Sequence, residues 1–414
     1  MATRKLTFAN ADGVMLSARL DMPADGRPDL YALFAHCFTC GKDLKAAHYI
    51  SKSLNQRRIA VFRFDFTGLG ESAGDFSETT FSSNVADLLS AARFMEASLE
   101  GPRLLIGHSL GGAAVLQAAS GIPTSRAVVT IGAPADPAHV MHHLASSLPQ
   151  IREQGQARVE LAGRPFTIKK AFVDDVSATR MDDVVRRLGR ALMVMHAPGD
   201  DVVGIDNAAR LFTVARHPKS FVSLDTADHL LGDREDAQYA GGVIAAWAAR
   251  YVGAPLRPHI DDPADNRIVA RTAADGFYTE IMAGRHVLAA DEPVSVGGTD
   301  RGPTPYDLLA ASLGACTAMT LQMYADRKKW PLAEAVVRLR HEKIHAEDCR
   351  NCSENRTAVD RISRELELVG PLDGEQRRRL AEIADRCPVH RTLQGEIVVD
   401  TRLAETEPDK ERDE

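Results

Sequence analysis

Gly107-His108-Ser109-Leu110-Gly111 stands between an apolar run, Leu104-Leu105-Ile106, and a small-residue stretch from Gly112 to Ser120. The run reads as a buried strand and the stretch as the start of a helix. A strand that turns sharply into a helix leaves no room for side chains on either side of the turn, so a serine there needs glycine neighbours. Such a turn lifts the Ser109 hydroxyl away from the sheet and beside a helix N-terminus, whose free N–H groups favour negative charge. The same residues would also suit a turn that only reverses the chain.

Around this turn, short apolar runs alternate with helical stretches. Strands are expected at 30–36, 59–64, 104–106, 127–131, 191–196 and 220–224, with helical patterns at 44–56, 80–97 and 235–251. That alternation implies an α/β fold built on a doubly wound, mainly parallel sheet. It lapses across 135–190, where a small lid is expected. At 414 residues the chain exceeds one ordinary core. A first domain is expected over 1–253. Residues 254–266, with prolines at 255, 258 and 263, read as a linker. The pattern then changes to α+β over 267–403. Strands are expected at 267–272, 277–282, 286–290, 336–345, 362–369 and 393–400, and helices at 304–329 and 373–385. The charged stretch 404–414 reads as a disordered tail.

The formal net charge of −7 disfavours nucleic acid and anionic membranes as partners. No apolar run is expected to span a membrane, and Met1-Ala2-Thr3-Arg4-Lys5 leads into no signal-peptide core, so the cytoplasm is the expected compartment. Six cysteines are too few for a disulfide scaffold and read as thiols, metal ligands or redox groups.

A serine nucleophile needs a base, and the base needs an acid to orient it. Asp200 follows the 191–196 strand and lies at the carboxyl end of the sheet, where open parallel sheets place their sites. Asp201 competes for the role, and an N-cap would explain either. His229, after the next strand, is the candidate base. His217 precedes that strand and falls at the wrong end. Acyl transfer also needs N–H donors for an oxyanion. Leu110, just after the serine, offers one, and Phe38 in His36-Cys37-Phe38-Thr39 the other. Asp65-Phe66-Thr67-Gly68-Leu69-Gly70-Glu71-Ser72 is a glycine-spaced turn that shapes a site, and it lacks the ending of a phosphate loop.

These features together, over residues 6–252, resemble the α/β-hydrolase superfamily, especially its small esterase-like members. The resemblance implies a Ser109–His229–Asp200 triad, a small-molecule ester as substrate, an acyl-enzyme mechanism and no cofactor, and the modest lid suggests short or medium acyl chains. Cys37 stands where similar enzymes usually have glycine.

Beyond the linker, Gly302-Pro303-Thr304-Pro305-Tyr306-Asp307 leads to Gly314-Ala315-Cys316-Thr317, with Cys387-Pro388-Val389-His390 much later. Residues 267–402 resemble the OsmC-like family. By that resemblance Cys316 matches the peroxidatic cysteine and Cys387 the resolving one, and the domain pairs into a homodimer. Active members place an acid and an arginine near the thiol. Here Tyr306 holds the acidic position with Asp307 beside it, and Arg285 and Arg301 are the candidate arginines. Cys316 could equally be one more small residue of an Ala-rich core helix. His341, His345, Cys349 and Cys352 have the spacing of a zinc set, of a redox-labile cysteine pair, or of ordinary surface thiols. No metal is assigned. Two other functions stay open: a thiol peroxidase with an accessory hydrolase domain, and a non-catalytic dimeric binding module.

Overall fold

An antiparallel hairpin begins the chain, with β1 (Ala2–Ala9) paired to β2 (Met15–Met22). In β2, Leu16, Ala18, Leu20 and Met22 alternate with more polar neighbours and turn inward. This is a computed structural model, and it describes residues 2–24, 26–161, 163–253, 267–272, 274, 276–284, 286–345 and 358–403. The chain forms two compact units, one of Met1–Arg271 with Glu280–Leu288, the other of Thr272–Thr279 with Ala289–Glu414.

In the first unit, β3 (Leu30–Ala35), β4 (Ile59–Phe64), β5 (Leu104–His108) and β6 (Ala127–Ile131) form the middle of the sheet. A lid follows, with a 3-10 helix (Pro137–Leu144), α4 (Leu148–Gln154), the hairpin β7 (Gln156–Leu161) and β8 (Arg164–Lys169), α5 (Lys170–Ala178) and α6 (Asp182–Arg186). Helices α1 (Lys45–Asn55), α2 (Phe81–Ser98) and α3 (Leu110–Ala118) precede it. After it come β9 (Ala191–His196), α7 (Asp206–Val214), β10 (Lys219–Ser223) and α8 (Arg234–Tyr251). The eight-stranded order is β1-β2-β4-β3-β5-β6-β9-β10. Only the β1–β2 and β2–β4 pairings are antiparallel.

Alternate strand residues feed two cores on opposite faces of the sheet. Leu33, Phe62, Leu105, Val128 and Val194 pack with α2, α3 and the lid. Phe34, Val61, Ile106, Val129 and Met193 pack with α1 and α8. The lid is anchored in the first of these cores through Leu144, Ile151, Val159, Ile168, Phe172 and Val176.

Beyond residue 267, β11 (Ile268–Thr272), β12 (Thr279–Ala283) and β13 (His286–Ala290) form a three-stranded sheet, most of whose residues fall in the first unit, while the elements that follow belong to the second. Next comes α9 (Pro305–Lys328), opened by a capping box between Thr304 and Asp307 with Pro305 in the first turn. The long pair β14 (Glu334–His345) and β15 (Ala358–Val369) is antiparallel. Helices α10 (Gly374–Ala384) and α11 (Pro388–Gln394) follow. Leu321, Ala325, Leu332, Leu380 and Ile383 form the core there.

Two expectations are corrected. The expected strand at 393–400 is absent: α11 occupies its start, and 395–403 has no regular structure. Cys387 caps α11 and Pro388 sits in its first turn, both of which favour helix. Ile397, Val398 and Val399 keep a strand-like composition but are exposed, with no strand beside them among the described residues. Second, α9 contains an 18-residue window of mean hydropathy 1.3, and by length and composition alone the helix is long and apolar enough to cross a membrane. Its Gly, Ser and Thr residues interrupt any continuous apolar run while leaving the average high. It packs on β14, α10 and α11.

Candidate active site

Ser109 sits between the end of β5 and the first residue of α3, with φ 55° and ψ −127°. A side chain is rarely found at positive φ with such ψ. The Ser109 N–H donates to the Ile131 carbonyl at 2.8 Å, which ties the turn to the neighbouring strand. The flanking glycines are required by contact. A Cβ on Gly107 would lie 2.3 Å from the Gly111 carbonyl oxygen, and one on Gly111 2.4 Å from that of His36.

His229 and Asp200 come to this serine from loops after β10 and β9. His229 Nε2 lies 3.0 Å from Ser109 Oγ, and His229 Nδ1 lies 2.7 Å from Asp200 Oδ2. An ionised carboxylate only accepts, so Nδ1 carries the proton and Nε2 is left to accept from the hydroxyl. Asp200 Oδ1 accepts from the N–H groups of Val202 and Val203 at 2.9 and 2.8 Å. Burial opposes charge on Asp200, but the bonds from His229 and Val203 outweigh it and hold the carboxyl below its usual range. Asp201 is exposed. His217 is exposed before the start of β10, away from the serine's end of the sheet.

Three further histidines brace the site; the sequence marked His36 only as a strand end and assigned His108 and His196 no role of their own. His108 donates from Nε2 to the His229 carbonyl at 2.6 Å. Its Nδ1 is buried without a hydrogen-bond partner among the described residues, which fits a neutral ring. Burial and the neighbouring His229 push its pKa down to about 4. His196 donates from Nε2 to the Val203 carbonyl at 2.7 Å, on the loop that holds Asp200. His36 accepts from the Phe66 N–H at Nε2 and so donates from Nδ1 to the Cys37 carbonyl, 2.7 Å away. Burial lowers its pKa as well. The readable signal for all three was a histidine at the carboxyl end of a strand.

Phe38 and Leu110, the expected oxyanion donors, both line a cavity of about 320 Å³ that also holds Ser109 and His229. Leu110 opens α3, so its N–H has no acceptor within the helix. The Phe38 ring stacks on Phe172 of the lid at 4.8 Å. Val140 and Leu161 from the lid, with Val202, Val203 and Leu230, make the walls largely apolar. His139, His143 and Arg164 add polar groups from the lid.

Two of the six cysteines, expected as thiols, metal ligands or redox groups, are joined to each other. Cys37 and Cys40 form a disulfide with Cα atoms 5.3 Å apart. A turn closed by the Cys40 N–H on the Cys37 carbonyl brings them within bridging range. Behind this loop, Lys42 is buried against Asp65 of the glycine-spaced turn. Its ammonium lies 2.7 Å from Asp65 and 2.8 Å from Glu71. Asp65 also accepts from the Lys42 and Glu71 N–H groups at 2.6 and 2.9 Å. The turn therefore fixes the loop that carries Phe38.

In the second unit, Cys316 and Cys387 are free thiols. Thr317, next to Cys316 on α9, places its hydroxyl 3.5 Å from Cys387 Sγ. Cys387 Sγ also accepts from the His390 N–H at 3.3 Å. The arginine at this place is Arg364 of β15, which sequence reading missed. It donates to Thr317 Oγ1 and to the Ala384 carbonyl, each at 3.0 Å, and pairs with Asp385. The expected supports are engaged elsewhere. Asp307 bonds Thr304 at the start of α9, which lowers its pKa. Arg301 lies over the Tyr278 ring at 4.3 Å. Arg285 lies outside the described residues. Of the zinc-spaced set, His341 pairs with Asp360 at 2.9 Å and stacks on Tyr306. The His345 side chain, Cys349 and Cys352 lie outside the described residues, among which no group of metal-binding side chains occurs.

Comparison with known proteins agrees with this architecture. The model of the alpha/beta hydrolase family matches residues 32–296, and that of the OsmC-like protein family matches 298–402. The esterase domain from a Rhodothermus marinus protein is 52% identical, with a TM-score of 0.52, covering 61% of this chain and all (100%) of that one. The uncharacterized protein YfhR of Salmonella typhi is 25% identical over 240 residues, 57% of this chain and 76% of its own. A putative hydrolase from Agrobacterium vitis S4, 19% identical with a TM-score of 0.50 over 59% of this chain and 98% of its own, shares the fold. The chain therefore belongs to the alpha/beta hydrolase family, and its hydrolase domain is followed by an OsmC-like one.

Proposed function

We propose that the hydrolase domain cleaves carboxylic esters of short or medium acyl length through a Ser109–His229–Asp200 triad. The observation that carries this reading is the chain of contacts from Ser109 Oγ to His229 at 3.0 Å and on to Asp200 at 2.7 Å, at the floor of a cavity of about 320 Å³. The likeness to an esterase domain at 52% identity supports it.

In this mechanism Ser109 Oγ attacks the ester carbonyl while His229 Nε2 takes its proton. The carbonyl oxygen becomes an oxyanion held by the N–H groups of Phe38 and Leu110. His229 returns the proton to the leaving alcohol, and an acyl group remains on Ser109. Water, deprotonated by the same imidazole, then attacks the acyl-enzyme and releases the acid. Asp200 keeps the imidazole in the tautomer that accepts at Nε2. No cofactor is required. Hydrolysis of p-nitrophenyl acetate and butyrate by the wild type, abolished in Ser109→Ala, is the expected result. Full activity in Ser109→Ala would sink the reading.

For the OsmC-like domain we propose homodimerisation through α9. Met319 and Met323 stand 66% and 72% exposed on that helix, an apolar face suited to a second copy. A monomer in sedimentation would oppose this. The free Cys316 and Cys387, with Arg364 reaching Thr317 beside them, also favour hydroperoxide reduction as a second reading. Thiol-dependent peroxide loss that disappears in Cys316→Ser is its test.

A further inference from the structure

The Cys37–Cys40 bridge lies inside the cleft. Both residues line the same cavity as Ser109, Cys40 half-buried and Cys37 buried. Between them stand Phe38, whose N–H is the proposed oxyanion donor, and Thr39. The two ends of this four-residue loop are held differently. At the first end, His36 donates to the Cys37 carbonyl at 2.7 Å from a ring that is itself buried. Toward the second end, Arg164 from the exposed lid hairpin donates to the Thr39 carbonyl, and the Cys40 N–H closes on the Cys37 carbonyl at 3.2 Å. Just beyond it the Lys42 N–H donates to Asp65 at 2.6 Å, and the disulfide adds a covalent tie between the two ends of the loop. A donor on such a loop is useful to an oxyanion only while its position is fixed, since a shift of about 1 Å in catalytic geometry can cost about a hundredfold in rate.

We propose that Cys37 and Cys40 form a thiol–disulfide exchange site for low-molecular-weight thiols that enter the cleft, and that the state of this pair sets the rate of ester hydrolysis. The proposal rests on the serine-hydrolase reading for its second half only. Cys40 is the more exposed residue of the two and is taken as the point of attack. A small thiolate attacks Cys40 Sγ, forming a mixed disulfide and releasing Cys37 as thiolate. A second small thiolate attacks the small-molecule sulfur of that mixed disulfide, releasing Cys40 as thiolate and a symmetric small-molecule disulfide. The protein pair gains two electrons, the two small thiols lose them, and each released thiolate is protonated from water. The reduced loop keeps its His36 and Arg164 contacts, the Cys40 N–H bond and the Lys42–Asp65 anchor but loses its covalent closure, which frees the Phe38 N–H to shift. Oxidised glutathione reverses the sequence and restores the bridge.

The test uses the full chain, equilibrated with excess reduced or oxidised glutathione. One part of each sample is alkylated, digested and weighed to read the state of Cys37 and Cys40. The other is assayed on p-nitrophenyl butyrate. Reduction of the pair should accompany a fall in kcat of about tenfold or more, restored by oxidised glutathione. The Cys37→Ser/Cys40→Ser double variant keeps Cys316, Cys349, Cys352 and Cys387 and should show no response to glutathione. A pair that stays bridged in excess thiol would overturn the proposal. So would unchanged kcat with the pair reduced, or an equal response in the double variant. Absence of ester turnover in both states sinks the serine-hydrolase reading instead, while the mass measurement still reads the exchange. The wild-type comparison stands even where the double variant does not fold.

Discussion

His108 donates from Nε2 to the main-chain carbonyl of His229 at 2.6 Å, so the residue just before the serine holds the backbone of the histidine facing it. Removing the ring should let that loop drift. We expect His108→Ala to lower kcat on p-nitrophenyl butyrate about tenfold or more, with KM changed far less. His108→Gln retains an N–H donor and should recover part of the loss. Equal activity in His108→Ala and wild type would show that the carbonyl needs no anchor.

The same ring gives stability a pH dependence. Its pKa is lowered in the fold to about 4, from an ordinary value of 6.5. Between those values the unfolded chain binds a proton that the folded chain refuses, so stability rises with pH across the window. The contribution is complete above pH 6.5 and is lost as pH falls toward 4. It is worth at most a few kcal/mol, at about 1.4 kcal/mol per pH unit. Unfolding temperatures measured from pH 7 down to pH 4.5 should fall more steeply in the wild type than in His108→Gln. Parallel curves would contradict this origin.

Asp200 and Asp201 are neighbours in sequence with different surroundings, one buried against His229 and one exposed. Asp200→Asn should reduce kcat by about four orders of magnitude, because an amide stabilises the wrong imidazole tautomer. Asp201→Asn should stay within about twofold of wild type, as expected for a surface position. The reverse ranking in steady-state kinetics would move the orienting role to Asp201.

Lys42 is a buried cation whose loss leaves Asp65 charged and without its ammonium partner. Lys42→Met should destabilise the hydrolase unit by about 3–5 kcal/mol, the usual cost of breaking a buried ion pair from one side. Urea unfolding followed by loss of ester turnover measures it. A change under 1 kcal/mol would mean that water reaches Asp65 in the variant.

Local signals carried what the sequence made legible. The small residues around Ser109 have to be small because backbone oxygens lie 2.3–2.4 Å from where a Cβ on Gly107 or Gly111 would be, far inside van der Waals contact. The parallel strands are continuous apolar runs because both faces are covered. Placing Asp200 and His229 required only chain order along such a sheet. Lys42, 23 residues from Asp65, and Arg364, 47 residues from Thr317, act through contacts that no local pattern encodes. The Cys37–Cys40 bridge was obscured by a general expectation about cysteine number, although three-residue spacing permitted it. Ile397-Val398-Val399 shows the opposite failure. Its composition suits a strand, but a strand also needs a neighbour.

Ser109 occupies φ 55°, ψ −127°, close to the mirror image of an ordinary extended conformation and comfortable only for glycine. A residue held there costs on the order of 1–3 kcal/mol, which the surrounding sheet has to absorb. It follows that the chain would fold more securely with Ser109→Gly than with the serine itself. Selection for durability alone would erase this hydroxyl, so its presence marks the point where folding and chemistry pull in opposite directions.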